Sequence, residues 1–206
     1  MYIMPSEIQG STVKARSLRR HEKGIYLKLT ERDNKMKTLI VVDMQFDFTY
    51  GPLGTKEARD IIPRVRKKIE EYHKCGDRII FTRDTHEFNY LETHEGNNLP
   101  IPHCIKRTNG WEIVDGIYIP GCLYVNKCTF GWPHWDSMLT DPEIEIVGLC
   151  TDICVISNAL ILRSLYPESD ITVDASCCAG TTPWNHRSAL SVMKSCQINI
   201  INEKEC

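Results

Sequence analysis

The chain has 206 residues, a formal net charge of -2, 42% hydrophobic residues and 25% charged residues. That length and balance fit one soluble globular domain with a short appendage, and they exclude the basic surface of a nucleic-acid binder. No apolar run approaches the ~18 residues of a membrane span, and Lys14, Arg16, Arg19 and Arg20 interrupt any signal-peptide core, so a cytoplasmic protein with no membrane or nucleic-acid partner is expected.

Residues 1–35 carry Arg16, Arg19, Arg20, His21, Lys23, Lys28, Arg32 and Lys35, and their apolar residues lack a sustained period. They are read as an N-terminal extension outside the fold, with a terminal hairpin over 26–31 as the alternative; the domain is then 36–206. Leu39 to Val42 is a short apolar run ending at Asp43, as in a strand buried on both faces of a parallel sheet. Ala58, Ile61, Ile62, Val65, Ile69 and Tyr72 form a helical stripe, with Pro63 in the first turn or at a kink and Gly76 as C-cap. Further strands are predicted at 78–82, 123–125, 144–149, 171–173 and 198–201. A helix is predicted through Val155, Ile156, Ala159, Leu160, Leu162 and Leu165. Another opens on the N-cap pair Thr182-Pro183 and runs to Cys196. This alternation predicts an α/β fold: a three-layer, doubly wound, Rossmann-like sheet of about six mainly parallel strands. The longest stretch without regular pattern, 84–121, is long enough to suggest a functional loop.

Ten cysteines are many for such a chain, but none forms a CxxC pair and several fall in apolar runs, so free buried thiols are expected. Sites in open parallel sheets form beyond the C-terminal ends of the strands. Those ends carry Asp43 after the first strand, Asp84-Thr85-His86 after the second, Asn126-Lys127 after the third and Gly148 to Cys154 after the fourth. Cys154 sits where a helix begins, and the helix N-terminus and Lys127 both favour a thiolate there. Asp43 is placed to take the thiol proton and return it to a leaving amine. First-turn N–H groups offer an oxyanion site, where loss of one donor costs ~10²–10³ in rate. Taken singly, a buried structural thiol, a loop carboxylate and a surface lysine remain alternatives for Cys154, Asp43 and Lys127.

A second constellation lies between Asp84 and His103. Asp84 and His86 share one face of an extended segment, His94 and Glu95 follow, and Pro102-His103-Cys104 closes the stretch. A carboxylate with two or three imidazoles suits Zn, Mn or Fe, and either His94 or Glu95 completes the set. A polar loop of surface histidines is the alternative.

The stretch from Val41 to Phe48 (VVDMQFDF) resembles the first-strand signature of the isochorismatase-like cysteine hydrolases, usually VDMQNDF, with Phe46 in place of Asn. Gly148 to Val155 (GLCTDICV) resembles the family's nucleophile turn, G-x-x-T-D-x-C-V. Asn126-Lys127 with Phe130-Gly131 is similar to its lysine segment. The resemblance covers about 36–202, and the nicotinamidase/pyrazinamidase branch is the nearest. It implies a catalytic triad of Asp43, Lys127 and Cys154, a cis peptide at Leu149–Cys150, and an oxyanion hole of the Cys150 and Cys154 amides. It also implies a divalent metal, zinc first with Mn or Fe as alternatives, on Asp84, His86, His103 and one of Glu95 or His94.

The expected activity is metal-assisted hydrolysis of a small amide by way of a cysteine thioester, with nicotinamide as the leading substrate and a homo-oligomer as the expected assembly. Where members of that branch often place an aromatic residue three before the last metal histidine, this chain has Pro100. Phe48, Tyr90, Phe130, Trp132 and Trp135 are the candidates for the ring wall, and Phe48 and Phe130 are the ones assigned to substrate. Hydrolysis of another amide or ureido compound is the alternative activity, and a catalytically silent binding module the alternative class.

Overall fold

The computed structural model describes residues 36–140 and 143–203; the extension 1–35, with its possible hairpin, lies outside the described residues. The elements are β1 (Lys37–Val42), α1 (Phe46–Thr49), α2 (Lys56–Cys75), β2 (Arg78–Asp84), α3 (His94–Asn98), β3 (Leu123–Lys127), β4 (Glu143–Leu149), a π-helical turn (Thr151–Val155), α4 (Ile156–Leu165), β5 (Ile171–Ala179), α5 (Pro183–Ser195) and β6 (Asn199–Ile201). The six strands form one parallel sheet in the order β3-β2-β1-β4-β5-β6. This is the doubly wound arrangement, with its switch point between β1 and β4.

Alternation along β1 divides the core. Leu39 and Val41 pack with the stripe of α2, while Ile40 and Val42 pack with α4 and α5. The sheet is therefore covered on both faces, which is why β1 reads as an unbroken apolar run. Thr55 caps α2, its hydroxyl accepting from the Ala58 N–H at 3.0 Å, and Gly76 ends the helix in the left-handed region at φ 73°. Ala58, Ile61, Ile62, Val65 and Ile69 are buried on its inner face, and each large member contributes roughly 1.5–3 kcal/mol by leaving water. Of the two places predicted for Pro63, the first turn is not the one it takes. It is the eighth residue of a continuous helix, where it removes one N–H from the ladder.

Two further differences follow from chemistry that sequence patterning does not weigh. β5 continues six residues beyond its predicted end at Val173, through Asp174 and Ser176. These two satisfy each other: the Ser176 hydroxyl donates to Asp174 Oδ1 at 2.7 Å. The nine cysteines described are all free, but Cys75 and Cys128 are exposed rather than buried. Between β3 and β4 the described residues form no α-helix but a single 3-10 turn, Trp135–Ser137; Trp135 and Leu139 fill that side of the core. Among the described residues no helix is long and apolar enough to cross a membrane.

Candidate active site

Four strands deliver their C-terminal ends to one point. Lys127, the last residue of β3, has a fully buried side chain, and its Nζ lies 2.6 Å from Asp43 Oδ2. The same Nζ is 3.5 Å from Cys154 Sγ and 3.5 Å from Asp84 Oδ1. A surface lysine is thus ruled out. Burial opposes the ammonium charge, but Asp43, Cys154 and Asp84 around it outweigh that and hold Lys127 well above the usual lysine range. Burial pushes the Asp43 carboxyl up while Lys127 pulls it back. The Thr82 hydroxyl steadies that carboxyl, donating to Oδ1 at 2.7 Å.

Cys154 is buried beside these groups. Burial pushes its thiol well above the ordinary range, and Lys127 offsets that only in part, with Asp43 and Asp84 working against ionisation. Desolvation thus opposes the thiolate that the helix terminus and Lys127 favour.

The turn that carries Cys154 is tightly specified. The peptide Leu149–Cys150 is cis, and Gly148 has φ 120°. A Cβ at Gly148 would lie 2.1 Å from the Val42 carbonyl oxygen. Only glycine lets β4 approach β1 closely enough to set Asp43 beside the turn. The carbonyl of Cys150 accepts from the N–H groups of Ile153 and Val155 at 3.0 and 3.1 Å, so Cys154 sits within a widened π-helical turn ahead of α4. Two latches fasten the turn to α5. The Thr151 hydroxyl is 2.8 Å from His186 Nδ1, and the Asp152 carboxylate accepts from the N–H of Thr181 at 2.8 Å and from its hydroxyl at 2.5 Å. On the other side Asn158, fully buried, donates to the carbonyl of Cys154 at 2.8 Å.

The metal-type donors converge as well. Ligand atoms of Asp84, His86, Glu95 and His103 all lie within 4.8 Å of one another. His86 Nε2 is 2.9 Å from Asp84 Oδ2, His103 Nε2 is 3.6 Å from the same oxygen, and Glu95 Oε1 is 3.7 Å from both imidazoles. Nδ1–H of His103 donates to the Ile101 carbonyl at 2.8 Å. That occupies Nδ1 and leaves Nε2 as the ring nitrogen that faces the cluster. Two carboxylates and two imidazoles gathered this closely fit a divalent ion of the zinc or manganese type. Burial raises the Asp84 carboxyl, yet hydrogen bonds from His103 and His86 and the charge of Lys127 hold it well below the usual carboxylate range. Of the two adjacent candidates for the fourth donor, Glu95 joins the cluster; His94 is exposed at the start of α3 and stays outside it.

These groups line a cavity of about 1160 Å³ that contains Asp84, His86, Glu95, His103, Cys150 and Cys154. Phe48 and Phe130 are in its wall, Phe48 with its ring 5.5 Å from that of His103. The other ring-wall candidates do not line it. Tyr90 backs the imidazoles at 4.7 and 5.1 Å, Trp135 is fully buried in the core, and Trp132 packs beside it.

Sequence reasoning passed over Gln45, which is fully buried and clamps Asp84. Its amide donates to the Asp84 and Trp111 carbonyls at 2.8 and 2.9 Å, and its oxygen accepts from the Asp84 N–H at 2.7 Å. The available signal was an amide directly after a buried strand, inside the VVDMQFDF stretch. Asp47 of the same stretch accepts from the Cys104 N–H at 2.8 Å and so supports the segment bearing His103.

A family model for the isochorismatase domain matches residues 37–205. The nicotinamidase of Schizosaccharomyces pombe is 22% identical over 215 residues, spanning 81% of this chain and 93% of the yeast protein. Among solved structures, the pyrazinamidase of Pyrococcus horikoshii in complex with zinc superposes with a TM-score of 0.68 at 27% identity, covering 81% of this chain and 99% of that one. The N-carbamoylsarcosine amidase of Thermoplasma acidophilum superposes with a TM-score of 0.67 at 24% identity, covering 83% and 99%, and shares the fold. The strand-end constellation and the match over nearly the whole described sheet agree: the chain belongs to the isochorismatase family.

Proposed function

We propose that the chain is a metal-assisted cysteine amidohydrolase that converts nicotinamide to nicotinate and ammonia. The observation that carries this reading is the row Asp43–Lys127–Cys154, at 2.6 and 3.5 Å, beside a cavity that also holds four metal-type donors. In the proposed course Asp43 accepts the Cys154 proton as Sγ attacks the carboxamide carbon. The backbone N–H groups of Cys150 and Cys154 receive the oxyanion. The proton on Asp43 passes to the nitrogen, the C–N bond breaks and ammonia leaves, with the acyl group held as a thioester. Asp43 then takes a proton from water as the water oxygen attacks that carbonyl. The C–S bond breaks, and the proton returns to Cys154.

Lys127 stabilises the transient thiolate. At 3.5 Å the attraction is on the order of 4 kcal/mol for an effective dielectric near 20, which counters the burial of the thiol. Asp84, His86, Glu95 and His103 would hold the ion, zinc first. When bound it supplies a Lewis-acid anchor for the pyridine nitrogen, which holds the carboxamide against Cys154. The yeast nicotinamidase and the zinc-bound archaeal pyrazinamidase support this reading.

The test is ammonia release from nicotinamide. Cys154→Ala is expected to lose turnover by at least ~10³ while keeping the substrate Kd within a few-fold. A chelator is expected to abolish wild-type activity, and added zinc or manganese to restore it. Ammonia release by Cys154→Ala at the wild-type rate would sink the nucleophile assignment.

A further inference from the structure

Among the described residues, no lysine or arginine lines the active-site cavity. Its charged lining is Asp84, Glu87 and Glu95, all acidic. Lys127, which touches the lining residues Asp84 and Cys154, is fully buried behind them and Asp43 and is matched by them. Glu87 pairs with Lys106 at 3.2 Å on the exposed rim, a contact that solvent screens. A divalent ion among Asp84 and Glu95 brings that cluster only to neutrality. Besides the imidazoles of His86, His94 and His103, the wall has Asn89, Asn98 and Thr181 as polar members and Leu53, Leu99 and Phe130 as apolar ones.

A ligand carboxylate drawn into this space gives up water and meets no lysine or arginine in return. Space is not the constraint. A cavity of about 1160 Å³ exceeds the roughly 300–1,000 Å³ that holds drug-sized ligands.

We propose that the cavity selects substrates by charge: it takes uncharged carboxamides, including ones with a neutral substituent larger than a single ring, and rejects amides and ureido compounds whose far end is a carboxylate. This rests on the amidase reading above and names its substrate class. N-carbamoyl amino acids are thereby excluded, although another protein of the same fold carries an N-carbamoyl amino acid amidase name.

Three probes test it on the full-length, zinc-loaded chain: nicotinamide, 5-phenylnicotinamide, and the para-carboxylate of the latter. Turnover is measured with the wild type, and Kd by calorimetry with Cys154→Ala. The phenyl compound is expected within tenfold of nicotinamide in both kcat/KM and Kd. The carboxylate is expected at least a hundredfold worse than the phenyl compound. Asn89→Arg or Asn98→Arg, each placing a cation in the wall, is expected to narrow that carboxylate-to-phenyl ratio at least tenfold.

A carboxylate handled within tenfold of the phenyl compound overturns the proposal, as does a phenyl compound weaker than nicotinamide by more than a hundredfold. So does a ratio that neither arginine variant moves, since rejection is then steric. If the wild type hydrolyses none of the three, the amidase reading fails instead, and the binding ratios with Cys154→Ala still decide the charge selection.

Discussion

Asn158 uses its full hydrogen-bonding capacity. Its amide donates to the Cys154 and Phe130 carbonyls at 2.8 and 3.3 Å, and its oxygen accepts from the Trp132 N–H and the Trp135 indole at 2.9 and 3.0 Å. One side chain therefore joins the turn that carries Cys154 to the segment that carries a wall of the cavity. Asn158→Leu, of similar volume, leaves those donors and acceptors unmet at roughly 1–3 kcal/mol for each buried group. A lower denaturation midpoint and a raised KM for nicotinamide are expected, measured by urea titration and steady-state kinetics. An unchanged midpoint would mean that the network carries no net stability. Asp43, Lys127 and Cys154 were legible in the sequence because each ends a recognisable strand or opens a helix. Asn158 was not, because a polar residue in an amphipathic helix reads as solvent-facing until the partner loop is known. The choice between His94 and Glu95 was equally hidden: adjacent residues at a helix start point in different directions, and the Thr93 cap of α3 sets which one faces inward.

At the scale of elements, α2 is fastened to the sheet by charge as well as by its apolar stripe. Lys68 lies 2.7 Å from Glu145 on β4 and 2.9 Å from Asp174 on β5, and Tyr72 donates to Glu145 at 2.8 Å. Burial opposes the Asp174 charge, but Lys68, Ser176 and Asn202 hold that carboxyl below the usual range. A carboxyl whose folded pKa is depressed contributes stability that is present above its unfolded value of about 3.9 and is lost as pH falls through the folded value. Lys68 is shifted upward despite burial, so its contribution is lost only on the alkaline side. Lys68→Met is expected to lower stability at pH 7 and to flatten its decline below about pH 4, read from urea unfolding across pH. A decline as steep as the wild type's would assign the acid sensitivity to other carboxylates. The central strands β1 and β2 were readable as apolar runs, because parallel strands covered on both faces need not alternate, whereas the edge strands β3 and β6 are partly exposed and shorter. The far half of β5 was not: it mixes Asp174 and Ser176 with small residues, and its polar groups are satisfied by α2, which sequence patterning cannot see.

At the scale of the molecule, the six described strands lie within residues 37–201, and the family match begins at residue 37. We propose that the segment lies outside the catalytic domain. A chain starting at Met36 is expected to melt within about 2 °C of the full chain, a difference under roughly 1 kcal/mol, and to keep its zinc content. Loss of either would make the segment part of the domain. The sheet order also separates two duties along the chain. Asp43, Lys127 and the Cys154 turn hang directly from β1, β3 and β4, whereas every metal-type donor beyond Asp84, and much of the cavity wall, comes from the single connection between β2 and β3. On the proposed function, a chimera that exchanged only that connection is expected to retain the bond-breaking apparatus and acquire a different clientele. The framework is thus built so that new substrates can be tried one loop at a time.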